Sequence, residues 1–218
     1  MELIRAGQSA ATSSHVQATS VIRVNDGENR GRIAELAGGQ PYIASCSHFL
    51  VFCADLKRIF DVCQRKGEAV SEGMTEQFLI ATVDTALMAQ NVAVAAESAG
   101  LGICYIGGIR NNPAQISEIL RVPRNVYPVF GLCIGYPDQA PEVKPRLPVA
   151  AILKEDYYDD GPDRELVHTF DDTMRAYYRS RSSTNKDTTW TEQMQVLFTR
   201  KSRPHMREFL RNQGFEMK

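Results

Sequence analysis

The sequence predicts an α+β fold in which helices cover both faces of a sheet. Its 218 residues, 43% hydrophobic and 23% charged, have the composition of a globular protein and suffice for a full core. Two patterns indicate the fold class. Three segments are apolar on both faces, as in strands covered on both sides, and one long segment repeats small and apolar residues at helical spacing.

Four segments are predicted to be strands. Residues 47–55 and 126–134 are rich in aromatic and β-branched residues, and residues 103–106 follow a Gly-Leu-Gly turn. The fourth strand, 20–24, is short and precedes an Asn-Asp-Gly turn. Because the first three have almost no polar face, we expect helices on both sides of the sheet.

The clearest helix is predicted over 75–98, and Gly100 ends the pattern. It is apolar nearly all round, which places it in the centre of a core or at a large subunit interface. Asp84 and Asn91 are its polar exceptions, and we expect them to bridge neighbouring backbone groups. Shorter helices are predicted over 29–37, 112–120, 165–179 and 203–213, the last opened by Pro204 and closed by Gly214.

Composition argues against several classes of protein. The net charge of −1 disfavours a nucleic-acid binder, and four separated histidines without ligand spacing disfavour a metal site. The five cysteines form no C-x-x-C pair, and we interpret them as buried free thiols in a reducing compartment. No stretch approaches the roughly 20 apolar residues of a membrane span, and the N-terminus lacks a secretory pattern. We therefore expect a cytoplasmic protein.

Charge is unevenly distributed along the chain. Residues 1–174 hold 15 Lys and Arg against 22 Asp and Glu, whereas residues 175–218 hold 10 against 4. The basic segment is either a solvated helical surface or an arm that binds a polyanionic small molecule. Nucleic acid is a poor candidate for this arm, because few aromatic residues beyond Tyr177, Tyr178 and Trp190 are placed to stack on bases.

Four short motifs carry the groups that a cofactor site needs. They are the hydroxyl run 11–14, Gly-Gly-Gln at 38–40, Tyr-Ile-Gly-Gly at 105–108 and Lys-Pro-Arg-Leu-Pro at 144–148. Glycines at a strand end let backbone N–H groups approach a planar ring, and a Lys and an Arg between prolines suit a phosphate. The Rossmann, P-loop and hydrolase-elbow motifs do not occur in the sequence. The residues alone therefore predict a site for a phosphorylated ring cofactor.

The order and spelling of these motifs resemble the oxygen-insensitive, NADPH-dependent nitroreductases and flavin reductases. The matching segments include ATSS (11–14), GGQ (38–40), FLVFCAD (49–55), residues 83–112, VFGLCIGYP (129–137), KPRLP (144–148) and YYRSRSSTNKDTTW (177–190). The resemblance runs in order over nearly the whole chain. It implies an FMN-binding α+β fold with a mainly antiparallel central sheet, one domain over 1–218 with a helical C-terminal arm over 155–218, and an intertwined homodimer.

The resemblance also implies roles for individual residues, with the chemistry carried by FMN rather than by a catalytic side chain. The expected FMN contacts are Thr12, Ser13, Gln40, Tyr105, Ile106, Gly107, Gly108, Lys144, Pro145 and Arg146. The residues expected to face NADPH or the substrate are Ser14, His15, Arg181, Lys186 and Arg203. Of these, Arg181 is expected to recognise the 2′-phosphate of NADPH.

The implied function is the two-electron reduction of nitroaromatics, quinones or free flavin with NADPH by a ping-pong cycle. Two departures from the family pattern bear on this function. The sequence begins within the helix that precedes ATSS, without the family's His-Arg-Ser-x-Arg motif, so we expect a fragment, a wrong start codon or weak flavin binding. His15 stands where relatives have an aromatic residue, which would shift substrate preference. The alternative function is a flavin-deficient, dimerising remnant without catalysis.

Overall fold

The structure is a computed structural model that describes residues 1–181 and 185–218, and it divides the chain into two units. Unit 1 consists of Met1–Asp138 and Arg203–Lys218, and unit 2 of Gln139–Ser202. Residues 182–184, part of the motif quoted at 177–190, lie outside the described residues. The single domain with a C-terminal arm stays a prediction.

Unit 1 is built around a four-stranded sheet. Its strands are β1 (Thr19–Val24), β2 (His48–Asp55), β3 (Gly102–Ile106) and β4 (Val126–Gly135). They lie in the order β1-β2-β4-β3, and each neighbouring pair is antiparallel. The four predicted strands and the antiparallel sheet are therefore confirmed.

Helices cover both faces of this sheet, as the apolar strands predict. In chain order the helices are α1 (Glu2–Gln8), α2 (Gly27–Leu36), α3 (Pro41–Ser45), α4 (Lys57–Arg65), α5 (Thr75–Ser98), α6 (Pro113–Ile119), α7 (Val149–Ile152), α8 (Asp163–Ser180), α9 (Trp190–Thr199) and α10 (Met206–Asn212). Side chains of β2 alternate between two core clusters: Phe49 and Val51 pack with Ile33 of α2, and Leu50 and Phe52 pack with Val92 of α5. This alternation produces a core on each side of the sheet.

The long helix α5 has the predicted bounds, and Gly100 follows its end with a φ of +75°. From the sequence we expected no segment able to span a membrane. By length and composition, however, α5 is long and apolar enough to do so, and it is the only described helix that is. A core helix of a soluble protein passes the same test. Here α5 packs in unit 1 through Ala89, Val92 and Ala96.

Other expectations need correction. Pro204 does not open the last helix, because α10 begins at Met206 with His205 as its N-cap residue, although Gly214 follows its end with a φ of +93°. The sequence reasoning missed α3, α4, α7 and α9, each of ten residues or fewer, since so few turns carry little periodic signal. The cysteines are free, but only Cys53 and Cys133 are buried.

Unit 2 contains α7, α8 and α9. Phe170, Met174 and Tyr178 recur at helical spacing and form one buried face of α8, and Trp190 packs against them. On the exposed side, Arg175 and Arg179 form ion pairs with Asp187.

Candidate functional site

The hydroxyl run of the sequence lies in a tight loop between α1 and β1. Within it Ser14, His15 and Gln17 have positive φ angles of 46°, 58° and 54°. This left-handed backbone costs roughly 1–2 kcal/mol for each residue other than glycine. The side chains of Ser13, Ser14 and His15 are exposed, so the loop presents polar groups at the surface.

Asp84 of α5 holds this loop in place. Its carboxylate is 2% exposed and accepts hydrogen bonds from the backbone N–H groups of Ser13, at 3.0 Å, and Ala18, at 3.3 Å. The Thr12 hydroxyl accepts a further bond from the Gln17 N–H at 3.4 Å. The prediction that Asp84 bridges backbone groups is confirmed. What sequence reasoning missed is that one of those groups belongs to the candidate site.

Tyr105–Gly108 lie where β3 ends. The Tyr105 ring is 38% exposed, packs edge-on against Phe130 with centroids 5.2 Å apart, and donates from its hydroxyl to Gln90 at 3.4 Å. Burial, followed by the charge of Glu97, raises the pKa of Tyr105. Ile106 is buried, so it can offer a ligand its backbone but not its side chain.

The two glycines at this strand end have a packing explanation of their own. A Cβ atom on Gly108 would lie 2.3 Å from the Ala37 carbonyl oxygen, and one on Gly107 would lie 3.3 Å from Nη2 of Arg110. The neighbour that requires a glycine at position 108 is therefore the Ala37 backbone, which leads to Gln40. From the sequence we expected that neighbour to be the planar ring of a cofactor. Asn111 strengthens this approach by donating to the Ala37 carbonyl at 3.3 Å. The motifs 38–40 and 105–108 are thus brought together.

Arg203 joins the same group of residues. Its Nε donates to the Asn111 side chain at 2.9 Å, and His205 Nε2 lies 3.0 Å from the Arg110 carbonyl oxygen. Sequence reasoning did not single out Arg110, whose half-buried guanidinium donates to the Val129 carbonyl. Burial, followed by the charge of Arg203, lowers the pKa of Arg110.

Neither Arg110 nor Arg203 forms an ion pair with a residue that the structure describes. Their two positive charges therefore lie beside the end of β3 without a compensating carboxylate from the described residues. Such a place favours an anionic or electron-rich ligand.

The basic loop of the sequence lies in unit 2, beside an apolar cavity of about 480 Å³. Lys144, Pro145 and Arg146 line this cavity together with Phe170 and Trp190. Lys144 Nζ lies 5.4 Å from the Tyr178 ring centroid. Burial alone would raise the pKa of Tyr178, but the hydrogen bond and charge of Lys144 lower it overall.

Arg146 folds back onto its own loop, with Nη1 donating to the carbonyls of Lys144, at 2.7 Å, and Pro145, at 3.4 Å. Like Lys144, it forms no ion pair within the described part of the chain. The loop therefore offers two cations whose charge is not already neutralised.

The two coenzyme candidates flank residues 182–184. The Arg181 guanidinium lies 5.8 Å from the Tyr177 ring centroid, and the Lys186 backbone N–H donates to the Tyr178 carbonyl at 3.2 Å. Neither side chain is ion-paired with another described residue, in contrast to Arg179, which is paired with Asp187. Both are thus available to a phosphate.

These donor sets fit a phosphorylated heteroaromatic cofactor such as FMN. Unit 1 contains hydroxyl, amide and backbone groups of the kind that bind a ring edge. Unit 2 contains an apolar cavity lined by Lys144 and Arg146, two cations of the kind that bind a phosphate. Among the described residues, the side chains assemble no cluster of three or more His, Cys, Asp or Glu that could hold a metal ion.

Comparison with known proteins agrees with this donor chemistry. The profile of the nitroreductase family matches residues 1–136, and the profile of the nitroreductase family C-terminal domain matches residues 144–218. The chain is 43% identical to the FMN reductase (NADPH) of Bacillus subtilis, over 98% of this chain and 87% of that protein. It is 43% identical to the NADPH-flavin oxidoreductase of Vibrio harveyi, over 97% and 86% of the two chains.

A solved structure shows the same fold. The NfrA1 nitroreductase of B. subtilis superposes with a TM-score of 0.93 at 42% identity, covering 97% of this chain and 87% of that one. Because the two family profiles together span nearly all of the sequence, the chain belongs to the nitroreductase family.

Proposed function

We propose that this chain is an FMN-dependent oxidoreductase that uses NADPH to reduce nitroaromatics, quinones or free flavin by two electrons. The observation that carries the proposal is 43% identity over nearly the whole chain to an FMN reductase that uses NADPH. The retained cation loop and strand end, together with this relationship, favour catalysis over a flavin-deficient remnant.

The cofactor is assigned to the residues whose chemistry suits it. Bound FMN would supply the redox chemistry of a ping-pong cycle that passes two electrons from NADPH to the acceptor. Lys144 and Arg146 would hold the phosphate and stabilise negative charge on the flavin, and Pro145 restricts their loop before binding. No side chain has to act as nucleophile or general acid.

In unit 1 the proposed role of the chain is to orient the ring. The backbone of Tyr105, Ile106, Gly107 and Gly108 would hold one edge of the ring, and Gln40 would supply an amide to it. Thr12 and Ser13 add hydrogen bonds from the loop that Asp84 anchors. Because this loop is held by buried contacts, the hydroxyl groups are positioned before the ligand arrives.

The coenzyme and substrate share a second set of residues. Arg181 pairs with the 2′-phosphate of NADPH, with Lys186 beside it, since neither cation is committed to a carboxylate of the described chain. Ser14, His15 and Arg203 line the pocket in which nicotinamide and acceptor alternate. His15 is exposed, so its polar ring would be accessible to such a ligand.

The same proposal includes a homodimer. On α5 the side chains of Leu79, Val83, Leu87 and Val94 are 44–54% exposed and recur at intervals of four, four and seven residues. This spacing puts them on one stripe of the helix, and an apolar stripe of that length is typical of a subunit interface. We further propose that the dimer works in the cytoplasm on small-molecule acceptors, without nucleic-acid or membrane partners.

Purified protein reconstituted with FMN tests the proposal directly. We expect an absorbance band near 450 nm, roughly the position for any oxidised flavin, that NADPH bleaches under anaerobic conditions and that a quinone restores. NADPH oxidation should then depend on a quinone or nitroaromatic acceptor. Protein that retains no flavin after reconstitution and oxidises no NADPH would instead be the non-catalytic remnant.

A further inference from the structure

Three of the five cysteines lie together at the edge of the unit 1 core. Cys104 of β3 and Cys133 of β4 are directly paired in the antiparallel register, and Cys46, which follows α3, packs against the same cluster. Cys133 is only 3% exposed, whereas Cys46 is partly open to solvent. A partly exposed cysteine therefore packs against the core cluster that contains a buried one.

Arg30 of α2 places a positive charge on the accessible sulfur. Its Nη2 lies 3.1 Å from Cys46 Sγ, while Nε donates to the Ile43 carbonyl at 2.8 Å and Nη2 also donates to the Cys46 carbonyl. These two carbonyls lie at the C-terminal end of α3 and fix the guanidinium independently of the thiol. The contacts of Arg30 with backbone carbonyls therefore fix the position of its guanidinium beside the Cys46 sulfur.

The pKa values of Cys46 and Cys133 are shifted in opposite directions. The hydrogen bond from Cys133, and then the Arg30 charge, outweigh burial and lower the pKa of Cys46 to about 6. The hydrogen bond to Cys46, followed by burial, raises the pKa of Cys133. Cys104 is the third titratable group here, and burial together with the Cys46 charge raises its pKa. At neutral pH the accessible member of the pair is the thiolate, which is the reactive form of cysteine.

We propose that Cys46 is a peroxide-sensitive thiol and that Cys133 resolves its oxidised form by closing a disulfide. The proposal depends on the juxtaposition of an accessible sulfur, a fixed guanidinium and a neighbouring thiol. It does not depend on bound flavin. None of these three residues belongs to the proposed cofactor or coenzyme contacts.

The chemistry balances with a hydroperoxide as oxidant. The Cys46 thiolate attacks one peroxide oxygen, an S–O bond forms, the O–O bond breaks, and hydroxide or alkoxide leaves. The Cys133 sulfur then attacks the sulfenic sulfur of Cys46, an S–S bond forms, and the S–O bond breaks with loss of hydroxide. That hydroxide takes up the Cys133 proton as water. Two thiols lose two electrons in total, and the peroxide is reduced by the same two.

The other two cysteines provide internal references. Burial, followed by the charge of Asp55, raises the pKa of Cys53 to about 12, so this thiol is expected to be inert. Cys63 is partly exposed on α4, outside the group of three, and reports on accessibility alone. A reactive Cys46 beside an unreactive Cys63 would therefore separate activation from mere exposure.

The first experiment measures alkylation of the full chain by iodoacetamide between pH 5 and 9, with each cysteine quantified by peptide mass spectrometry. We expect Cys46 to reach its half-maximal rate at low pH, close to its lowered pKa. Replacing the guanidinium in Arg30→Gln should move that midpoint up and slow alkylation at pH 7 by roughly 10- to 30-fold, whereas Arg30→Lys, which keeps the charge, should restore part of the rate. A Cys46 midpoint above pH 8 in the unmodified protein would overturn the proposal.

The second experiment exposes the protein to a small excess of hydrogen peroxide, without NADPH, and maps non-reduced peptides. We expect a Cys46–Cys133 link that dithiothreitol reverses, and in Cys133→Ser a sulfenic acid on Cys46 that dimedone traps. Cys46→Ser should form no link, and Cys63→Ser should behave as the unmodified chain. Alanine variants replace any serine variant whose circular dichroism shows unfolding. A Cys46 that stays reduced, oxidises no faster than Cys63, or links to Cys104 would refute the assignment.

Discussion

Asp84→Asn is the substitution that most directly tests how the candidate site is held together. The three left-handed residues of the loop, Ser14, His15 and Gln17, cost about 3–6 kcal/mol in total at the usual penalty per residue. The two hydrogen bonds to the Asp84 carboxylate contribute a similar amount, since a bond to a charged group is worth roughly 1.5–3 kcal/mol. Because the two sums are comparable, the loop conformation depends on this one side chain.

Asparagine keeps one acceptor oxygen and turns the other into a donor that faces a backbone N–H. We therefore expect a loss of about 2–4 kcal/mol, allowing for the longer of the two bonds and for the neutral bond that remains. For a chain of this size each kcal/mol lowers Tm by roughly 2–4 °C, so the expected decrease is about 4–16 °C. Amide hydrogen exchange should accelerate most at Ser13 and Ala18, which lose the acceptor.

Asn91→Ala is the matched control for this experiment. Asn91 is the other polar exception on α5, but it is exposed and its hydrogen bond to the Ala6 carbonyl is 3.5 Å long. Its removal should change stability by about 0.5 kcal/mol or less. If Asp84→Asn melted with the unmodified protein and exchanged its loop amides no faster, the loop would be held by something other than Asp84.

Three further predictions concern the ligands and the subunits. The double variant with Lys144→Ala and Arg146→Ala should lose about 2–4 kcal/mol of FMN affinity, or roughly 30- to 1,000-fold in Kd by flavin titration, while Arg179→Ala, which removes an ion-paired arginine, should bind FMN normally. Arg181→Ala should lower kcat/KM for NADPH by roughly ten- to a hundred-fold and leave that for NADH nearly unchanged, and an unaltered NADPH-to-NADH ratio would remove Arg181 from coenzyme recognition. Val83→Glu, on the exposed stripe of α5, should shift sedimentation toward the monomer at micromolar concentration, and an unchanged dimer would place the interface elsewhere.

The sheet and the long helix could be predicted from the sequence because their signals are local. In β2 and β4 nearly every residue is apolar whichever face it lies on, with His48 and Asp55 at the two ends of β2 as exceptions. In α5 the small and apolar residues recur at helical spacing over 24 residues. The structure of the site could not be predicted in this way. Asp84 bonds to residues 66 and 71 positions away in the chain, and Gly108 is required by the carbonyl of Ala37. Such requirements follow from tertiary packing, which no local pattern contains.

The role of the basic C-terminal segment also could not be predicted from the sequence, but the structure shows which of its arginines are ion-paired. The excess of Lys and Arg after residue 174 is a property of composition, and by itself it does not distinguish a binding arm from a solvated surface. In the folded chain the arginines separate into two classes. Arg175 and Arg179 are neutralised by Asp187, whereas Arg181 lies against an aromatic ring without a carboxylate partner among the described residues. A phosphate gains most from a cation that no carboxylate already holds, so ion pairing rather than charge density selects Arg181 as the residue to test.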